Sequence, residues 1–297
     1  MRWLLPFLLV ACATPPATEA KPLPPKRTWQ THLDEGHPLV GKIWSVRQGR
    51  FVEEAELLAT LDGHVLLGEK HDNPDHHALQ ASVLRALVAK KPIVAFEMFD
   101  LESQAAIDES RRVAPKDVAH LAAAVSWEKS GWPSWSLYAP IVEVALDAGL
   151  PIVATGISRT RMRAAGKDGI PPLDAGEPLS PEDERSLTEE LRADHCGKLP
   201  EAMLPRMIQI QRARDTSMAR ALAAAPNGVL IAGAGHTRRD RGVGHDLKQA
   251  WSIAFAEVET QKTDPASYAA RWNTTKLPFD FVWFTPRLND DDPCAGM

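Results

Sequence analysis

The sequence is poor in tyrosine and cysteine, has no long apolar run, and shows no dominance of either sign of charge. Tyr138 and Tyr268 are its only tyrosines, against 9 tryptophans. No apolar stretch approaches the roughly 18 residues needed to span a bilayer. The 3 cysteines include no C-x-x-C pair, so a cysteine zinc site is not indicated. Lysine and arginine (34) nearly balance aspartate and glutamate (39), and no long basic run occurs. That argues against a nucleic-acid partner. No G-x-G-x-x-G follows an apolar run and no G-x-x-x-x-G-K-[ST] is present, so neither dinucleotide nor P-loop chemistry is indicated.

What is present points to a globular chain. The 297 residues are 44% apolar and 25% charged, enough to bury a core. The length suits one large domain or one domain with a sizeable insertion. The first residues stand apart. A basic start at Arg2 leads into a short apolar run that ends in Leu9-Val10-Ala11-Cys12. This tetrapeptide looks like a bacterial lipobox, whose cysteine becomes the acylated N-terminus; an ordinary signal peptide is the alternative. Ala13 rather than aspartate follows, which favours the outer membrane as destination, and several acyl chains would anchor the protein stably. Residues 1–12 are thus expected to be a signal ending at Cys12, and residues 13–37 a Pro- and Ala-rich tether. The remaining cysteines, Cys196 and Cys294, are expected to pair in an oxidising compartment if the fold brings them together; two free thiols are the alternative.

Residues 38–286 read as an α/β domain and 287–297 as a tail. Apolar runs at 42–46, 65–68, 92–97, 151–156, 228–232, 251–258 and 279–284 read as strands. Helical spacing is expected at 51–61, 75–90, 101–130, 134–148, 182–193 and 202–225, with a short helix near Asp246. Strands alternating with helices predict a mostly parallel β-sheet flanked by helices. Residues 157–226 are expected to form an inserted helical subdomain, introduced by a Gly- and Pro-rich loop. Met203, Met207 and Met218 lie along its second helix and read as core filler or, less simply, as an adaptable ligand surface. Trp127, Trp132 and Trp135 read as packing or as walls of an apolar pocket.

Two apolar runs end alike, the first in Gly68-Glu69-Lys70-His71 and the second in Gly233-Ala234-Gly235-His236. Two others lead to Glu97 and Arg159, and Arg238 lies just past His236. Parallel sheets keep their ligand crevice at the carboxyl ends of the strands. Glu69, His71, Glu97, Arg159 and His236 are therefore expected to converge on one cleft, with Arg159, a protonated histidine or a metal ion between the two carboxylates, since unpaired buried charge is costly. The set His71, His236, Glu69 and Glu97 suits a divalent metal such as zinc or manganese, and the same groups without metal suit acid–base work. His76 and His77 read as solvated residues on the first turn of a helix.

Longer segments carry a resemblance. Residues 68–77, Trp135-Ser136-Leu137-Tyr138-Ala139-Pro140, His195-Cys196-Gly197-Lys198-Leu199-Pro200, Gln211-Arg212-Ala213-Arg214-Asp215 and residues 232–243 resemble the ChaN family of bacterial haem-binding uptake lipoproteins. The likeness covers roughly residues 38–286. It implies a haem-binding envelope lipoprotein acting in iron acquisition, anchored to the membrane through Cys12, with a second copy or an outer-membrane receptor as further partners. Haem needs an apolar slot, an axial ligand and cations for its propionates. Tyr138 is the preferred iron ligand at this level. Glu69, His71, Glu97, Arg159, His236 and Arg238 are the other candidate binding residues. No C-x-x-C-H occurs, which excludes covalent c-type attachment. The paired Gly-x-x-His motifs also resemble a wider group that includes TIKI proteases, TraB-like proteins and erythromycin esterases. That likeness implies the alternative of a metal-dependent hydrolase; a purely structural envelope protein is a third possibility.

Overall fold

The computed structural model describes residues 27–167, 172–292 and 294–295. The signal segment, Cys12 and most of the tether lie outside the described residues. The strands are β1 (Ile43–Ser45), β2 (Arg50–Val52), β3 (His64–Glu69), β4 (Ile93–Asp100), β5 (Ile152–Gly156), β6 (Gly228–Gly233), β7 (Trp251–Glu257) and β8 (Phe281–Thr285). The α-helices are α1 (Glu54–Thr60), α2 (Pro74–Leu87), α3 (Gln104–Val113), α4 (Val118–Ala124), α5 (Trp135–Asp147), α6 (Arg159–Ala164), α7 (Pro181–Asp194), α8 (Leu204–Ala223) and α9 (Val243–Asp246).

The strands form one eight-stranded sheet in the order β2-β1-β8-β7-β3-β6-β4-β5. Every pairing from β8 to β5 is parallel; only the β1 pairings, to β2 and to β8, are antiparallel. This is the expected mostly parallel sheet. The apolar runs lack strict alternation because both faces are covered. Val65, Leu67, Val94, Phe96, Val229 and Ile231 enter one core cluster, which helices α2 and α5 cover. Leu66, Ala95, Leu230 and Ala232 enter a cluster on the other face, closed by Met218, Ala219 and Leu222 of α8.

Two local differences have physical causes. The apolar spacing of residues 51–61 is only partly helical, because Phe51 and Val52 belong to β2. Phe51 pairs with Trp44 of β1, their rings 5.1 Å apart edge to face, as aromatic and β-branched residues favour. The 157–226 stretch holds α6, α7 and α8, but α8 is shared. Its first turns join Leu187 and Leu191 in a small separate cluster, and its last turns close the main sheet. Of the three methionines there, Met218 is buried, Met207 packs on the small cluster and Met203 is exposed. Cys196, in the turn after α7, is disulfide-bonded to Cys294, their Cα atoms 5.6 Å apart.

Candidate functional site

Central strands β3 and β6 lie side by side with Glu69 opposite Gly233, so the two Gly-x-x-His segments leave the sheet at the same edge. Their glycines permit the close approach. A Cβ on Gly68 would fall on Thr237 and 2.9 Å from the Ala234 Cα, and one on Gly233 would fall 2.9 Å from His71 Nε2. Asn73 then caps α2, accepting from the Asp75 and His76 amides, and Pro74 follows as its first residue.

Glu69 is buried and centres a polar cluster. Its Oε1 accepts from Tyr138 Oη at 2.9 Å and from His71 Nδ1 at 2.9 Å. His77 Nδ1 lies 3.2 Å from Glu69 Oε2, off the hydrogen-bond direction, and neither atom has another partner among the described residues. His71 keeps 35% of its side chain exposed, and its ring packs edge-on against Trp132 at 5.0 Å. Burial works against protonating His71, but the bond to Glu69 and the charges of Glu97 and Glu69 outweigh it and raise its pKa above the usual 6.5.

Glu97, from β4, centres a second cluster. One oxygen is ion-paired with Arg214 of α8 and lies 3.4 Å from His236 Nε2; the other accepts the Gly233 amide at 2.7 Å. His236 Nδ1 donates to Asp215 at 2.6 Å. Burial opposes the charge on His236, yet Glu97 and Asp215 push its pKa up to about 9, so it is a cation at neutral pH. Burial likewise opposes ionisation of Glu97, but His236 and Arg214 hold its carboxyl well below the usual carboxylate range. Two carboxylate–imidazole pairs thus stand next to each other: His71 is bonded to Glu69 and feels the charge of Glu97, the place expected for a protonated histidine, while Arg214 pairs with Glu97 alone.

The structure brings Glu69, His71, Glu97 and His236 together at one sheet edge. Arg159, the first residue of α6, lines the same cavity as Glu97 and Arg214. This cavity, about 480 Å³, opens at the carboxyl ends of β4 and β5 and is walled by Met98, Phe99, Trp127, Trp132 and Met162. Arg238 does not take part. Its side chain is fully buried, fixed by Asp240 at 2.6 Å, Glu190 at 3.0 Å and the Trp272 carbonyl at 2.8 Å, and it ties α7 to the loop after β6. Tyr138 is also turned inward. Its phenol is fully buried on Glu69, and burial together with that carboxylate raises its pKa. No group of three or more His, Cys, Asp or Glu is arranged to hold a metal ion among the described residues. The four residues read as zinc or manganese ligands are instead satisfied in pairs, with Arg214 and protonated His236 supplying the positive charge.

His76 and His77, read from the sequence as solvated, are both buried. His76 accepts the Lys70 amide at 2.8 Å, lies 2.9 Å from Thr285 Oγ1, and is kept neutral by burial. His77 packs edge-on against Tyr138 at 4.4 Å and reaches the His71 carbonyl at 2.9 Å, so it braces the Glu69 cluster. Arg214 and Asp215 carried no assigned role in the sequence. The available signal was that Arg212, Asp215, Ala219 and Leu222 fall at helical spacing on one stripe of α8, so charged residues interrupt a face that must be buried.

A family model described as haem-binding uptake, Tiki superfamily, ChaN matches residues 59–247. Comparison with curated proteins finds no match. Among solved structures, ChaN of Campylobacter jejuni, described with cofacial haem binding, superposes with a TM-score of 0.65 at 22% identity, over 81% of this chain and 95% of that one. The type III effector HopBA1 gives a TM-score of 0.47 at 14% identity over 77% and 91%. An erythromycin esterase, EreC, gives 0.42 at 15% identity over 82% and 81%. The fold is that of the Campylobacter protein, and with the family model spanning well over half its residues, the chain belongs to the haem-binding uptake, Tiki superfamily, ChaN family.

Proposed function

We propose that the protein binds haem in the cavity at the ends of β4 and β5, as an envelope lipoprotein acting in haem uptake. One observation carries this reading: the cavity combines aromatic and thioether walls with a strongly polar floor of Glu97 and Arg214. Its volume of about 480 Å³ falls in the range of small-molecule pockets. Flat indole and phenyl faces suit a planar macrocycle, and cavity arginines suit an anionic one. For the iron, the group prepared by its surroundings is His71. Its Nδ1 donates to Glu69, its Nε2 has no hydrogen bond among the described residues, and its ring stands against Trp132 of the cavity wall. An imidazole held this way by a carboxylate is oriented to coordinate a metal through the other nitrogen. Export is supported by the lipobox-like segment ending at Cys12 and by the Cys196–Cys294 disulfide, since such bonds persist in oxidising compartments.

Titration of the purified protein with haemin tests the reading. A shifted Soret band that saturates at a fixed stoichiometry is expected. In His71→Gly the coordinated spectrum should be lost and then restored by free imidazole. Absence of any saturable Soret change in the native protein overturns the proposal.

A further inference from the structure

The rim of the same cavity carries two cations that the clusters on its floor do not use. Arg159 and Lys129 both line it, and neither side chain has a hydrogen bond or ion pair among the described residues. This sets them apart from Arg214, which is committed to Glu97, and from Arg238, Arg239 and Arg241, which are all paired. Arg159 is nevertheless positioned. It lies beneath the turn at Gly131, where φ is +81° and an added Cβ would approach its Nη2 to 3.1 Å. A side chain at residue 131 would be strained by the backbone and would crowd the guanidinium. Asp100 shares the rim and feels the charge of Arg159, but accepts no bond from it. Lys129 lies two residues before Gly131, the turn that Arg159 approaches, so both cations belong to one stretch of the rim, and a ligand lying against Phe99, Trp127 and Trp132 would present one edge to them.

We infer that Arg159 and Lys129 form an anchor for two carboxylates borne on one edge of a planar apolar ligand. This rests on the haem reading and deepens it: the ligand is selected as a porphyrin dicarboxylate and not through its iron alone. Arginine offers a planar fork that matches a carboxylate, and lysine a mobile point charge that can reach a second one.

The iron-free porphyrin tests this apart from the metal. Protoporphyrin and its dimethyl ester differ only in the two carboxylates, and both should quench the tryptophans of the cavity wall. The native protein should bind the free acid about tenfold more tightly than the ester, as two partly exposed ion pairs imply. In Arg159→Ala/Lys129→Ala the ratio should fall towards one, with ester affinity unchanged; both residues are exposed, so the fold should be unaffected. A ratio near one in the native protein, or an unchanged ratio in the double variant, overturns the anchor. The haemin titration separates this from the broader reading. If haemin gives its saturable Soret change and the ratio is near one, only the anchor falls. If no porphyrin binds, the haem reading and the anchor fall together.

Discussion

Replacing Tyr138 by Phe separates a brace from an iron ligand. The phenol is fully buried and its one polar contact among the described residues is the 2.9 Å bond to Glu69 Oε1. The substitution keeps the ring, and with it the contacts to His77 at 4.4 Å and Trp127 at 4.9 Å. It therefore costs the hydrogen bond and little packing. A bond to a charged acceptor contributes about 1.5–3 kcal/mol, and Oε1 retains His71 as a donor, so a loss of about 2 kcal/mol is expected. For a domain of this size that corresponds to a fall in Tm of roughly 4–8 °C. The haemin titration of the variant should match that of the native protein in Soret position and stoichiometry. Thermal unfolding followed by circular dichroism, with the titration run well below the lowered Tm, measures both. Loss of the Soret change in a variant that remains folded would refute the reasoning, because it would place the phenol on iron.

Arg214→Met leaves Glu97 buried with only His236 and the Gly233 amide, and should destabilise the protein by about 3 kcal/mol, read as a lowered midpoint of urea unfolding. The raised pKa of His236 sets a pH window: its contribution is complete below the unfolded value of 6.5 and is lost as pH rises towards about 9, a change of about 3 kcal/mol that His236→Gln should remove. Unfolding free energies measured between pH 6 and 9 check it, and native stability that is flat or rising over that interval contradicts it. Cys12→Ala should move the protein from the membrane fraction to the soluble periplasm; a variant that stays membrane-bound after a salt wash rejects the anchor.

Much of the sheet was legible because parallel strands covered on both faces leave unmistakable apolar runs, and polar residues immediately after them must sit at its edge. That sufficed for Glu69, His71, Glu97 and His236. Beyond the strand ends the same logic loses force. Arg159 and Arg238 both follow apolar runs at short range, yet one lines the cavity and the other is locked onto Asp240 and Glu190; only the path of each loop decides. His76 and His77 start a helix and so looked solvated, but the first turn of α2 is tucked under β7 and β8, where Phe255 and Thr285 receive His76. Tyr138 carries no sign in the sequence of facing a carboxylate 69 residues away. Short β2 was lost inside a helical spacing that three residues cannot disturb.

The position of β6 bears on how the chain acquires its shape. This strand occupies the centre of the sheet, between β3 and β4, although it is among the last to leave the ribosome. Until it arrives, β3 and β4 each present an unpaired parallel edge, the kind of surface on which chains associate wrongly. Pairings between segments so distant in sequence are slow to form. A chain built this way can close its sheet only when residues up to Gly233 are available. A product cut short before Gly228 would lack the strand that joins the two halves, and would be a substrate for proteases and not a smaller working protein.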